Sequence, residues 1–131
     1  MTPPRIVVVD DDPSVLKVVQ TVLSAEGYEV EVATDGPQAL RRILESPPAL
    51  VILDVMMPGL NGWELCEIVR RQSHTREVPV LFLTGARVDV QDQITALQVG
   101  GSDHMKKPFR AEELRAKARA LTRRPVGERS R

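Results

Sequence analysis

The apolar run Ile6-Val7-Val8-Val9 ends in three consecutive carboxylates, Asp10, Asp11 and Asp12. A second run, Ala49-Leu50-Val51-Ile52-Leu53, ends in one more, Asp54. Each has the length and composition of a strand buried on both faces, as in a parallel sheet. Open parallel sheets bind their ligands beyond the carboxyl ends of the strands. The two runs therefore bring several acids to one edge of one sheet. Crowded carboxylates repel one another and are costly to keep ionised together. A bound hard cation is the simplest way to offset that cost.

The rest of the chain repeats the same alternation. The first strand is expected from about Arg5 to Asp10. Asp12-Pro13 then supplies an N-cap acid and a proline at the first helical position. Val15, Leu16, Val18, Val19, Val22 and Leu23 follow at helical spacing until Gly27. Strand two, Tyr28 to Ala33, alternates Tyr28, Val30 and Val32 with Glu29 and Glu31, the pattern of an edge strand with one wetter face. Asp35-Gly36-Pro37 opens a short helix that Ser46-Pro47-Pro48 closes. Strand three is Ala49 to Asp54, and Met57-Pro58-Gly59 makes a turn. Asn61 with Glu64 has the spacing of a capping box and opens a third helix through Arg71. Strand four is Val78 to Leu83. A fourth helix follows from about Val88 to Val99, then a short strand from Ser102 to Lys106. A fifth helix begins after Pro108 and runs to about Thr122.

Five β-α units with short connections predict an α/β fold with a parallel sheet between two layers of helices. The expected architecture is a flavodoxin-like (βα)5 three-layer sandwich, with a five-stranded sheet of order 2-1-3-4-5.

The 131 residues suit one core, read as a domain over 1–122 with a basic tail or the start of a linker over 123–131. No apolar run is long enough to span a bilayer. The first residues lack the pattern of a secretory signal, and Cys66, the single cysteine, has no internal partner. Cytoplasmic localisation is the default expectation. The formal charge is zero, but residues 115–131 hold seven Arg or Lys against one acid, Glu128. Without an aromatic residue or a second basic cluster beside it, this stretch reads as a solvated helix end and frayed terminus rather than a nucleic-acid-binding tail.

In this fold Asp10 and Asp11 end strand one, Asp54 ends the neighbouring strand three, Thr84 ends strand four and Lys107 follows strand five. Acids, a hydroxyl and an ammonium suit phosphoryl chemistry. The acids would hold Mg²⁺ or Mn²⁺. One acid would act as a nucleophile toward phosphorus and become an acyl phosphate. The hydroxyl and the ammonium would bind the remaining phosphoryl oxygens.

The sequence closely resembles the response-regulator receiver domain of two-component signalling. Val8-Val9-Asp10-Asp11-Asp12-Pro13, Leu53-Asp54-Val55-Met56-Met57-Pro58-Gly59-Leu60-Asn61-Gly62, Leu83-Thr84-Gly85 and Lys106-Lys107-Pro108-Phe109 carry the resemblance. It spans about Arg5 to Leu121. It implies that Asp54 accepts a phosphoryl group from a histidine kinase or histidine phosphotransfer protein. It implies that Asp10 and Asp11 bind the metal with Asp54 and the backbone carbonyl of Met56. Thr84 would move toward the phosphoryl group and Lys107 would contact it. The surface of the fourth helix, fifth strand and fifth helix would switch, to be read by a phosphorylation-dependent homodimer, an output domain or another partner. Nucleic acid would be contacted only through an output domain. The domain would not be a stand-alone enzyme, its own chemistry being limited to phosphoryl uptake and slow autodephosphorylation.

Two positions depart from the family pattern. His104 stands where the family usually places Tyr or Phe, as the ring that turns inward with the switch threonine. Gly85 follows Thr84 where alanine is common. Both motivate an alternative, a constitutive interaction module with the receiver fold and little or no switching. A third reading, an independent Mg²⁺-dependent phosphatase, would want a second acid two residues after the nucleophile, where this chain has Met56. His104 by itself reads as a partly buried ring rather than a metal ligand, because no second His or Cys lies near it in sequence. Cys66 reads as a small apolar filler.

Overall fold

The structure is a computed structural model and describes residues 3–85, 94–96 and 98–123. Five strands, β1 (Arg5–Val9), β2 (Glu29–Ala33), β3 (Leu50–Asp54), β4 (Val80–Thr84) and β5 (Asp103–Lys106), form one sheet of order β2-β1-β3-β4-β5. All four pairings are parallel. Helices α1 (Pro13–Ala25), α2 (Gly36–Glu45) and α3 (Gly62–Arg71) and a C-terminal helix (Ala111–Thr122) cover it. This is the expected flavodoxin-like architecture. Of the helix expected over Val88 to Val99, residues 94–96 and 98 are described and helical. Val99 follows as a turn; residues 88–93 and 97 of that segment, and residues 124–131 of the tail, lie outside the described residues.

The helices start where their caps dictate. The Asp12 carboxylate accepts the Ser14 N–H at 2.9 Å, and Asp35 accepts the Gln38 N–H at 2.8 Å. Asn61 and Glu64 form a reciprocal capping box, at 3.0 and 3.1 Å. A cap of this kind contributes about 1 kcal/mol. Helix α1 ends because Gly27 adopts φ +94°, a left-handed conformation that glycine takes without a Cβ penalty.

Alternation along the strands divides the core into two. Val7, Val9, Val51, Leu53, Val80 and Phe82 pack against Ala39 and Ile43 of α2 and Leu65, Cys66 and Val69 of α3. Ile6, Val8, Leu50, Ile52, Leu81, Leu83 and Met105 pack against Leu16, Val19 and Leu23 of α1 and Leu114 and Ala118 of the C-terminal helix. Strands β1, β3 and β4 are buried almost throughout. Each such aliphatic side chain contributes about 1.5–3 kcal/mol of burial. Trp63, half-buried, sets its ring edge-on to Phe82 with centroids 4.6 Å apart. Cys66 is a buried filler, as expected, its thiol donating to the Val99 carbonyl at 3.3 Å.

Strand β2 keeps the expected alternation: Tyr28, Val30 and Val32 pack on the core beside α1, while Glu29 and Glu31 face the other way. Its central residues are half-buried on both faces. Glu31, on the wetter face, keeps 30% of its side chain in solvent. It accepts from Arg5 Nε at 2.5 Å, and the same guanidinium bonds the carbonyls of Ser46 and Arg42.

Register fixes what shares the carboxyl edge. Val9 pairs with Leu53, so Asp10 and Asp54, each one residue further on, arrive side by side. Thr84 pairs with Lys106 on β5, one residue before Lys107.

Candidate functional site

Asp10 is fully buried at the end of β1, and Asp54 is 5% exposed at the end of β3. Asp11 is exposed beside them. Each can offer a carboxylate oxygen such that all three oxygens lie within 4.8 Å of one another. No other group of three or more His, Cys, Asp or Glu residues among the described residues has this geometry.

Local backbone holds two of these carboxylates. Asp10 Oδ1 accepts the Asp12 N–H at 2.9 Å, and Asp54 Oδ1 accepts the Met56 N–H at 3.2 Å. Their remaining oxygens turn to one ammonium. Lys107 Nζ lies 2.7 Å from Asp10 Oδ2 and 3.5 Å from Asp54 Oδ2. The short contact is an ion pair without hydrogen-bond alignment. Asp10 Oδ2 is therefore a buried acceptor without an aligned donor. Such atoms are rare in folded proteins and ask for a missing partner.

The electrostatics follow from this crowding. Burial, then the neighbouring Asp10 charge, pushes the Asp54 carboxyl up to about 6, against the pull of Lys107 and of the Met56 N–H. Burial pulls the Lys107 ammonium down, but Asp10 and then Asp54 outweigh it, so its pKa is raised. Asp12 is held below the usual carboxylate range by the Ser14 hydroxyl and N–H that it caps. It serves as the α1 cap, as read from sequence. Three carboxylates against one ammonium leave the pocket negative once all are ionised. Hard oxygen donors, a buried oxygen without an aligned donor and excess negative charge fit a small divalent cation.

The other expected residues stand less close. Thr84 is buried, but its hydroxyl donates to the Met105 carbonyl of β5 at 3.4 Å. Its own carbonyl accepts the Lys107 N–H at 2.7 Å, which ties the lysine loop to β4. Met56 is 76% exposed at the mouth of the site. His104 is exposed on β5, opposite Phe82 in register. The expectation of a partly buried ring is thus corrected: β5 is the edge of the sheet, and position 104 faces solvent there. Lys106 is exposed, as expected, but it is the last residue of β5 rather than a loop lysine.

Sequence reasoning missed one group. The Arg70 guanidinium donates to the carbonyls of Gly100, Arg76 and Val78, at 2.9, 3.1 and 2.6 Å. It joins the end of α3 to the entry of β4 and to the turn before β5. An arginine in the last turn of a helix gives no sign of this in sequence.

A family model described as the response regulator receiver domain matches residues 6–119. The chain belongs to this family. The receiver is 44% identical over 124 residues to the DNA-binding response regulator MtrA of Mycolicibacterium smegmatis, across 95% of this chain and 53% of that protein. It is 40% identical over 121 residues to the DNA-binding dual master transcriptional regulator RpaA of Synechocystis, across 92% of this chain and 50% of that one. The chain thus spans about half the length of these curated relatives. Among solved structures, the chemotaxis protein CheY4 of Vibrio cholerae superposes with a TM-score of 0.86 at 31% identity, across 91% of this chain and 98% of that one. Among the described residues, no helix is long and apolar enough to cross a membrane.

Proposed function

We propose that this receiver takes a phosphoryl group onto Asp54 from a phosphohistidine of a histidine kinase or phosphotransfer protein, and that the modification biases its interaction surface. The observation that carries the proposal is Asp54 itself. It is a buried carboxylate at the end of a central strand, flanked by Asp10 and facing one ammonium.

Asp10, Asp11, Asp54 and the Met56 carbonyl would hold Mg²⁺ or Mn²⁺. When bound, such an ion neutralises phosphoryl oxygens and offsets the charge of the acids. The chain's own residues do the rest. A bond forms between a carboxylate oxygen of Asp54 and phosphorus. The phosphorus–nitrogen bond of the donor breaks, and its electron pair returns to the imidazole. The Met56 N–H, on Asp54 Oδ1, holds the carboxylate plane during attack. Lys107 is within reach of both acids and is free to follow a phosphoryl oxygen as a mobile point charge. Thr84 would exchange its bond to the Met105 carbonyl for one to the phosphoryl group. That movement would bias the surface made by the Val88–Val99 segment, β5 and the C-terminal helix.

The exposed His104 favours a second reading, a receiver-like interaction module whose partner affinity does not depend on phosphorylation. The names of MtrA and RpaA support a DNA-binding output in a longer regulator; in this reading residues 1–122 are the receiver and 123–131 a basic tail or the start of a linker.

Incubation with Mg²⁺ and a small phosphodonor, followed by intact-mass measurement, tests the proposal. Wild type gains one phosphoryl group and Asp54→Asn gains none. An equal gain in the variant would remove Asp54 from its role. Partner affinity measured before and after phosphorylation separates the switching reading from the constitutive one.

A further inference from the structure

The loop from Asp54 to Gly62 is closed at its base. The Gly62 N–H donates to the Val55 carbonyl at 3.1 Å. A Cβ at position 62 would lie 2.6 Å from the Asp54 carbonyl oxygen and 2.6 Å from Leu53 Cδ1. Within the loop, Met57 is buried in the core, whereas Met56, Pro58 and Gly59 are exposed.

The same loop is braced from outside by another helix. Gly36 is the first residue of α2 and is buried. A Cβ there would lie 2.7 Å from the Leu60 carbonyl oxygen and 2.9 Å from Leu60 Cβ. Neither atom is the far end of a flexible side chain. The first turn of α2 is itself fixed. Asp35 accepts from the Gln38 N–H, Gln38 Oε1 accepts from the Thr34 N–H at 3.0 Å, and Ala39 and Ile43 are buried in the core. On the other side of the contact, the Asn61–Glu64 box fixes the residue after Leu60. Two capped helix starts therefore press on one another with only glycine at the point of contact.

We infer that Gly36 is a positioning residue for the phosphoacceptor loop. Its contact with Leu60 sets where the 55–60 backbone, including the Met56 carbonyl, stands relative to Asp54 and Asp10. The inference rests on the reading of that site given above. Adding a methyl group at position 36 must move either α2 or the loop. The anchored α2 yields less than a loop with three exposed residues.

The test compares wild type with Gly36→Ala, Leu60→Ala and Gly27→Ala. The readouts are the Mg²⁺ dissociation constant from isothermal titration calorimetry, the exchange rate of the Met56 amide in metal-free protein, and Tm. Gly36→Ala weakens Mg²⁺ binding about tenfold, as for residues that support metal ligands from outside, and speeds exchange at Met56. Leu60→Ala removes part of the brace without a clash and moves both readouts the same way by less. Gly27→Ala lowers Tm through strain at φ +94°, with nothing within 4 Å of the added Cβ, and leaves both readouts at wild-type values. Wild-type Mg²⁺ affinity and wild-type exchange in Gly36→Ala would overturn the inference. So would an equal change in Gly27→Ala. If wild type shows no Mg²⁺ response, the site reading itself falls, and exchange at Met56 still decides the brace.

Discussion

Lys107 Nζ stands 2.7 Å from Asp10 Oδ2 but 3.5 Å from Asp54 Oδ2. The lysine is spent chiefly on the deeper acid, and Asp54 is left with the repulsion. Replacing Lys107 by methionine removes the ammonium and keeps much of the apolar stem. At neutral pH and without divalent ions, this variant loses about 1–3 kcal/mol of stability, because the buried carboxylates keep no counter-charge. Urea unfolding measures the loss. Added Mg²⁺ recovers part of it, because the ion supplies charge at the same place.

The raised Asp54 pKa makes stability depend on pH in an unusual direction for a carboxylate. The group titrates near 6 in the fold and near 3.8 in the unfolded chain. Above pH 6 it is ionised in both states, and the fold carries the full cost of the buried charge. Between those values the native state binds more protons, so this group's contribution improves as pH falls. Below the unfolded value the cost is gone. Metal-free wild type is therefore less stable relative to Asp54→Asn at neutral pH than at pH 4–5, by on the order of 1–2 kcal/mol. The difference between wild-type and variant melting curves across that range isolates the effect. Asp103, held low by Lys117 and the His104 N–H despite burial, works the other way and loses its contribution under acid. Mg²⁺ moves the Asp54 transition toward lower pH.

Arg70 bonds three carbonyls, those of Arg76 and Val78 between α3 and β4 and that of Gly100 before β5. Arg70→Met preserves the aliphatic stem and removes every donor. It costs about 2 kcal/mol by equilibrium unfolding, the sum expected when hydrogen bonds from a charged donor to partly buried carbonyls are lost. Mg²⁺ affinity is unchanged, because the guanidinium is not among the groups that meet at the acids.

His104 is exposed and is not among the groups that meet at Asp10, Asp11 and Asp54. His104→Ala therefore takes up a phosphoryl group from a small donor at the wild-type rate. Partner affinity is the quantity this variant changes if the exposed ring is part of the read surface. Stopped-flow phosphorylation and a binding titration on the same variant separate the two effects.

Much of this molecule is legible in its sequence, for identifiable reasons. Strands β1, β3 and β4 are apolar on both faces, so composition alone assigns them to the centre of a parallel sheet. Asp12, Asp35 and Asn61 announce helix starts because capping is local chemistry. Asp10 and Asp54 converge because both follow paired strands. What the sequence hides is set by contacts between distant segments. Glu31 pairs with Arg5, 26 residues away. Arg70 reaches Gly100, 30 residues on. His104 carries no local mark of whether its ring faces the core or the solvent at the edge strand. Gly36 reads as an ordinary helix-start glycine until Leu60 is seen against it. The orientation of the Thr84 hydroxyl, toward Met105 rather than the acids, depends on a neighbouring strand and leaves no pattern in the chain.

Borohydride reduction of the phosphorylated protein is the most direct test of the central claim, that Asp54 is the acid which becomes an acyl phosphate. The reagent converts an acyl phosphate to an alcohol, so the modified aspartate is read as homoserine in peptide mass spectra. Homoserine is expected at position 54 alone, dependent on both Mg²⁺ and phosphodonor. Homoserine at position 10 or 11, or a phosphorylated protein with none at 54, would contradict that claim.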